Sequence, residues 1–384
     1  MQYDLSGPAL TGRSPSRAYR FVERLLNKAG ITVGGTAPWD MQLRNPSVLE
    51  RALSQGNLAL GEAYMAGEWD VARLDEFFHK LLRSDVTDQV NPMAALHVLA
   101  VNLFNRQSKH RAWEVGQRHY DLGNAFYEAM LDPRMTYTCG YWKDADNLAD
   151  AQTAKLDLIC RKLGLKPGQR VLDIGCGWGS FMSYAAERYG VRCVGVTISK
   201  EQAEWGTKRY AHLPIEFRLQ DYRDIDEQFD HIVSIGMFEH VGRKNHRLFM
   251  ETARRCLKND GLFLLHTIGK NARKSTPDPW VDKYIFPNGD LPSIGQIGDA
   301  VDRLFVVEDL HNFGADYDKT LMAWCANFEA TWQRFACELG ERFFRMWRYY
   351  LLSCAGAFRA RDIQLWQWVL SPKGVEGGYE RLSR

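Results

Sequence analysis

Asp173, Glu239 and His266 each stand at the end of an apolar run of this 384-residue sequence, or a few residues past one. Ends of buried strands face the ligand crevice in open α/β sheets, so two carboxyls and an imidazole there can bind a polar ligand or move a proton. Each also has a plainer reading, since a lone histidine at a strand end is more often a satisfied buried residue than a catalyst. The glycines are more telling. Residues 171–179 read Val-Leu-Asp-Ile-Gly-Cys-Gly-Trp-Gly, with Gly175, Gly177 and Gly179 at alternate positions. This pattern predicts a buried parallel strand that turns sharply into a helix beneath a nucleotide-like ligand. Glycine there opens backbone angles closed to other residues and lets the ligand approach the main chain.

Two ligand classes compete for that turn. A nicotinamide dinucleotide site wants G-x-G-x-x-G and an acid about 20 residues later, at the end of the second strand. Position 180 is Ser, and the second strand ends Gly195-Val196-Thr197-Ile198-Ser199 without an acid. The D-x-G-x-G-x-G spacing instead resembles the first motif of class I S-adenosylmethionine-dependent methyltransferases. On that resemblance the glycine backbone accommodates the methionine part, and Asp173 orients the loop or the ligand's ammonium group. Residues 229–234 resemble the fourth strand of that fold. Gln220, Asp221 and Tyr222 follow the third, where such enzymes hold the adenine. The missing acid departs from the class, and Thr197, Ser199 and Gln202 are candidates for the ribose hydrogen bonds instead.

Longer runs narrow the family. Tyr137-Thr138-Cys139-Gly140-Tyr141-Trp142, Gly236-Met237-Phe238-Glu239-His240, His266-Thr267-Ile268, His119 to Asn124 and Gly314 to Tyr317 together resemble the cyclopropane-fatty-acyl-phospholipid synthases. The catalytic part is also similar to the mycolic acid cyclopropane synthases. The resemblance implies methyl transfer from S-adenosylmethionine to a cis double bond of a phospholipid acyl chain, then loss of a proton as the ring closes. It implies bound bicarbonate as the base, in a pocket of Cys139, Gly236, Glu239, His266, Ile268 and Tyr317, with Tyr137 and Thr138 touching S-adenosylmethionine. Glu239 would accept the ion's own hydroxyl hydrogen, because two bare anions side by side are unfavourable. Phe238, Tyr317 and Trp324 are candidate aromatic faces for the cation formed on the alkene. Cys354 is a family feature with a possible catalytic role, but Phe343, Trp347, Tyr350, Leu351, Cys354 and Phe358 fall at helical spacing, so core packing explains it better. No metal is expected.

The elements that must position these residues follow from pattern. From about residue 150 strands alternate with helices, which predicts a parallel sheet with helices on both faces. Strands are expected at 170–174, 191–196, 215–219, 229–235 and 261–268, with 303–310 and 363–370 closing the sheet and a long helical stretch at 319–358 over the site. Residues 16–29 and 71–82 carry apolar residues at helical spacing, Asn45-Pro46 reads as a helix start, and Gly56, Gly61 and Gly67 as turns. The expected organisation is therefore a smaller, mostly helical lipid-binding domain at 1–100, a basic linker helix at 101–120, and a Rossmann-like α/β class I methyltransferase domain at 121–384.

Composition bounds the remaining choices. A formal net charge of +2 gives no field that points to nucleic acid. Eight scattered cysteines with no C-x-x-C pair favour small buried residues over disulfides or zinc. The N-terminus lacks an export signal and no apolar run approaches a membrane span, which places the expected protein in the cytoplasm, reversibly attached to the inner membrane face. Arg106, Lys109, His110, Arg111 and Arg118 read either as a solvated linker or as a contact for anionic headgroups. Arg342, Arg345 and Arg348, interleaved with aromatics, read as the solvated edge of a core helix or as an interfacial face. A homodimer is implied by the resemblance alone. Two other functions stay open: a methyltransferase for a soluble small molecule, and a non-enzymatic lipid-binding protein with this fold.

Overall fold

The structure, a computed structural model, describes residues 16–84, 122–273 and 277–382. The basic cluster at 106–118 and residues His119 to Asp121 lie outside them.

Seven strands form one sheet in the order β5-β4-β3-β6-β7-β9-β8. They are β3 (Arg170–Ile174), β4 (Arg192–Thr197), β5 (Ile215–Leu219), β6 (Phe229–Ile235), β7 (Leu257–Lys270), β8 (Val306–Asn312) and β9 (Ile363–Ser371). Strands β3 to β7 pair in parallel, whereas β9 runs antiparallel between β7 and β8. Strand order reverses at β3, whose neighbours are β4 and β6, and this is where open α/β sheets hold ligands. The parallel expectation therefore holds for five strands. β7 begins earlier than expected because α9 (His246–Cys256) runs directly into it, and Leu257 pairs with Phe229 before the register shifts. β8 begins later, at Val306, because Arg303 takes the left-handed conformation (φ 58°) just before it.

Two apolar layers sandwich the sheet. On one face α6 (Leu148–Lys162) and α7 (Ser180–Tyr189) pack Leu156, Ile159, Phe181 and Met182 against Val171, Val233 and Leu264. On the other, α9 and α11 (Ile294–Val301) pack Phe249, Met250 and Ile297 against Leu172, Ile232 and Phe263. Helix α8 (Lys200–Arg209) follows β4, capped by Ser199.

A third cluster joins residues 16–84 to the far end of the chain. It contains α1 (Arg17–Lys28), α2 (Ser47–Gln55), α3 (Asn57–Met65), α4 (Leu74–Arg83) and the small ladder β1 (Gln42–Leu43) with β2 (Trp69–Asp70). From the far side come α5 (Asn124–Met130), α10 (Pro279–Tyr284), α12 (Ala315–Thr331) and α13 (Ala336–Arg359). Ser16 caps α1 through the Tyr19 N–H at 3.1 Å, and Asn45 Oδ1 accepts the Ser47 N–H at the start of α2. Gly56 and Gly67 end helices as expected, but Gly61 marks no turn. It lies inside α3 against the Trp280 indole, where a Cβ would collide with the ring. The expected helical stretch at 319–358 is built of two helices joined by a 3-10 turn at Trp332–Arg334, and Gly340 breaks α13 near its start.

Of the three arginines at 342, 345 and 348, Arg342 is exposed, as a solvated edge requires, but the other two fit neither expected role. Arg345 is buried, donates to the carbonyls of Tyr64 and Trp69, pairs with Asp70 at 3.3 Å and lies 4.2 Å from the Tyr64 ring centroid. Arg348 donates to the Tyr64 hydroxyl and pairs with Glu329. Arg359 reaches Asp75, Glu76 and Asp318. They are pins between α13 and residues 16–84. Arg345→Ala would remove the charged donor shared by the Tyr64 and Trp69 carbonyls and the closer of the two arginines on Asp70. It should lower unfolding free energy by about 3 kcal/mol in urea titration. A loss below about 1 kcal/mol would return Arg345 to the solvated edge.

Candidate active site

The carboxyl ends of β3, β4, β6 and β7 converge at one end of the sheet. After β3 the chain turns through Gly175, Gly177 and Gly179, whose φ angles are 83°, 53° and 85°. A Cβ at Gly175 would meet Met237, and one at Gly179 would meet Phe217, whereas Gly177 faces open space. Two glycines thus seat the turn and the middle one leaves room beside the backbone.

After β6, Gly236 (φ 71°) donates its N–H to the His266 carbonyl at 2.9 Å. A Cβ there would lie 2.5 Å from Thr138 Cγ2, so glycine lets the 137–139 strap approach. Glu239 follows in a 3-10 turn, Phe238–His240, and is buried. Its Oε1 accepts the Ile268 N–H at 2.6 Å, while Oε2 is buried without a partner. Burial pushes this carboxyl up to about 7 against the pull of the Ile268 and its own backbone N–H groups and of the Thr267 hydroxyl.

His266 on β7 is 1% exposed, with Nε2 unpartnered. Its Nδ1 lies 3.3 Å from the Gln367 amide nitrogen on β9, its cross-strand neighbour. Burial, reinforced by the Lys155 and Lys162 charges, holds His266 well below the usual histidine range and keeps the imidazole neutral. Tyr317 stacks on Phe358 at 4.5 Å, and its hydroxyl is within electrostatic reach of Cys139, Glu239, Tyr137 and Cys354. Cys139 is fully buried, and burial pushes its thiol up. Cys354 packs on α13 with its thiol pushed up to about 12, so no thiolate stands ready there.

Tyr137 meets the Tyr350 hydroxyl at 3.0 Å and packs on Trp324 at 5.1 Å. Phe238 does not share this aromatic wall, because its ring stacks on His246 at 4.4 Å within the layer beneath the sheet. Asp173 is buried with Oδ1 unpartnered, and burial raises it to about 7 while Lys155 opposes the rise.

Thr197, Ser199 and Gln202 do come together, bonded to one another. The Thr197 hydroxyl donates to Gln202 Oε1 and accepts the Ser199 N–H, both at 3.1 Å. Gln220 donates its N–H to the Thr197 carbonyl and its amide to Asp224, Asp221 holds Arg223, and Tyr222 packs on Phe249.

Sequence reasoning missed Lys155 and Gln367. Lys155 is fully buried on α6, its Nζ donating to Thr138 Oγ1 at 2.9 Å. One signal was available: Leu148, Lys155 and Lys162 repeat every seven residues along the apolar stripe of a helix, where lysine is out of place.

The sheet order and the glycine turn after β3 define a class I S-adenosylmethionine-dependent methyltransferase. Gly177's open face and the unpaired Asp173 oxygen fit that donor. Residues 107–368 match the family described as mycolic acid cyclopropane synthetase, and the chain belongs to that family. It is 55% identical to the cyclopropane-fatty-acyl-phospholipid synthase of Escherichia coli K12, over 94% of each chain. The cyclopropane synthase MmaA2 from Mycobacterium tuberculosis superposes with a TM-score of 0.65 at 33% identity, over 69% of this chain and 99% of the other. Mycolic acid cyclopropane synthase CmaA1, complexed with SAH and CTAB, gives 0.64 at 35%, over 67% and 97%.

Burial of Glu239 has a stability consequence with a definite sign. The carboxyl ionises near 4.5 when unfolded and near about 7 when folded. Its contribution is therefore full below pH 4.5 and lost as pH rises through 7. Glu239→Gln keeps an acceptor for the Ile268 N–H and removes the charge. It should stabilise the ligand-free protein at pH 8 by up to roughly 3 kcal/mol and much less at pH 5. Thermal melts at both pH values check this, and equal shifts would contradict it.

Proposed function

We propose that this protein transfers a methylene group from S-adenosylmethionine to the cis double bond of an unsaturated acyl chain in a membrane phospholipid, giving a cyclopropane ring. The observation that carries this reading is that two polar atoms on neighbouring elements, Glu239 Oε2 in the turn after β6 and His266 Nε2 on β7, are both buried and unsatisfied. An alkene is a weak nucleophile, so the reaction needs alignment and a dry site. Tyr137, Tyr317 and Trp324 supply the aromatic wall around the cation left on the chain.

S-adenosylmethionine supplies an electrophilic methyl when bound, and bicarbonate supplies a base. Gly175, Gly177, Gly179, Asp173, Tyr137 and Thr138 would hold the first, with Gln220, Asp221, Tyr222 and the Thr197–Ser199–Gln202 group at its adenosine end. Cys139, Gly236, Glu239, His266, Ile268 and Tyr317 would hold the second. Glu239 is suited to lie beside an anion because a carboxyl near about 7 retains a proton to share at neutral pH. The neutral His266 orients through Nδ1 and presents Nε2 as the second partner. Cys354 serves as packing in this account. Residues 1–100 would bind lipid, the membrane contact would be peripheral and reversible, and the working form would be a homodimer; the family resemblance supports these three points.

Incubation with labelled S-adenosylmethionine and vesicles of unsaturated phospholipid tests the reading. Label should enter the lipid, with a mass gain of one methylene and loss of the alkene. Label excluded from lipid, or a methyl branch beside a retained alkene, would overturn it. Glu239→Gln should slow turnover by about 100-fold or more while changing S-adenosylhomocysteine affinity little. Near-normal turnover would remove Glu239 from the chemistry.

A further inference from the structure

Lys155 is the buried charge that the proposed chemistry leaves unused. It is 0% exposed, and its Nζ donates to the Thr138 hydroxyl at 2.9 Å. An ammonium offers three donors, and a cation withdrawn from water needs compensating charge. The groups facing it come from four elements: Asp132 after α5, Cys139 on the strap, Asp173 on β3 and His266 on β7. One turn earlier on α6, the Gln152 amide donates to the Thr138 carbonyl at 2.7 Å. Helix α6 thus grips Thr138 by hydroxyl and carbonyl, while Gly236 abuts its methyl from the other side.

That grip falls between two sets of proposed contacts. Tyr137 and Thr138 belong to the methyl-donor side, and Cys139, the next residue, to the anion pocket. We infer that Lys155 is a positioning residue that fixes the strap through Thr138 Oγ1 and supplies the positive charge shared by the donor site and the anion pocket. The inference rests on the reading above. Its charge acts on both sides. It opposes the rise of Asp173, whose Oδ1 is left free, and it depresses His266. Burial lowers Lys155 itself to about 8, so the charge is present at neutral pH and fades as pH rises through 8.

The test uses the full-length protein with Lys155→Met, which keeps the stem and removes the charge. Melting temperature, S-adenosylhomocysteine affinity and turnover against bicarbonate added to carbonate-depleted buffer are measured. In the variant, the bicarbonate needed for half-maximal turnover should rise by about 10- to 100-fold, the usual worth of a charge-assisted hydrogen bond. In the wild type this requirement should climb above pH 8, and in the variant that limb should vanish. A merely structural lysine would lower melting temperature without moving either readout. A folded variant with wild-type bicarbonate response overturns the inference. If the wild type itself ignores bicarbonate, the proposed base fails instead. The inference then stands on strap placement, and is overturned by unchanged S-adenosylhomocysteine affinity and turnover in Lys155→Met. Should that variant fail to fold, Thr138→Val removes only the hydroxyl. Turnover should drop about tenfold and return in Thr138→Ser, whereas normal turnover in Thr138→Val overturns the clamp.

Discussion

The site depends on one carboxyl kept out of water with only one of its two oxygens bonded. The Ile268 N–H ties Glu239 Oε1 to the end of β7, which fixes the 3-10 turn after β6 against its neighbour strand. Had several donors closed on both oxygens, the carboxyl would have fallen far below its usual range. Leaving Oε2 open in a dry place does the reverse, and the group sits near neutrality. Dryness comes from the cover. Tyr317 and Trp324 on α12, and Tyr350 and Phe358 on α13, are all buried. The three apolar clusters offset the cost of holding such groups unsatisfied.

The cover also explains why residues 16–84 sit where they do. Helix α13 has two working sides. One sends Arg345, Arg348 and Arg359 into α3, α4 and the β2 strand, and Gly356 lets α4 approach to backbone contact. The other brings Tyr350 to the Tyr137 hydroxyl and Phe358 to the face of Tyr317. The N-terminal helices and the strap therefore brace the same helix from opposite sides.

How much of this was legible depended on whether the signal was local. The glycine turn and the apolar strands are local, and residues 170–174, 215–219 and 229–235 fall where their pattern puts them. Glu239, His266 and Tyr317 were legible through family motifs, and the structure gathers them. What stayed hidden was set by distant partners. Arg345 looks like a solvated charge until Tyr64 arrives from elsewhere in the chain, and the stripe that marks Lys155 as buried does not reveal that it holds Thr138. Gly61 looks like a turn because Trp280, which forbids a side chain there, is more than 200 residues away. Insertion of β9 between β7 and β8 leaves no trace in either strand, since a fully buried strand reads alike in either direction.

Charge balance argues that the two proposed ligands belong together. Around the strap, Asp132 and Asp173 face the cation of Lys155, and the Glu239 carboxyl lies buried across the pocket. In so dry a place an added charge of either sign is expensive alone, because unit charges a few ångströms apart interact far more strongly than in water. On the proposed reading the donor brings a sulfonium and the base brings an anion. Each lowers the cost of admitting the other. By linkage the help is reciprocal. The unpaired oxygens of Asp173 and Glu239 and the free nitrogen of His266 then form one incomplete network, closed only when both ligands are present, with Lys155 as the fixed charge between its halves.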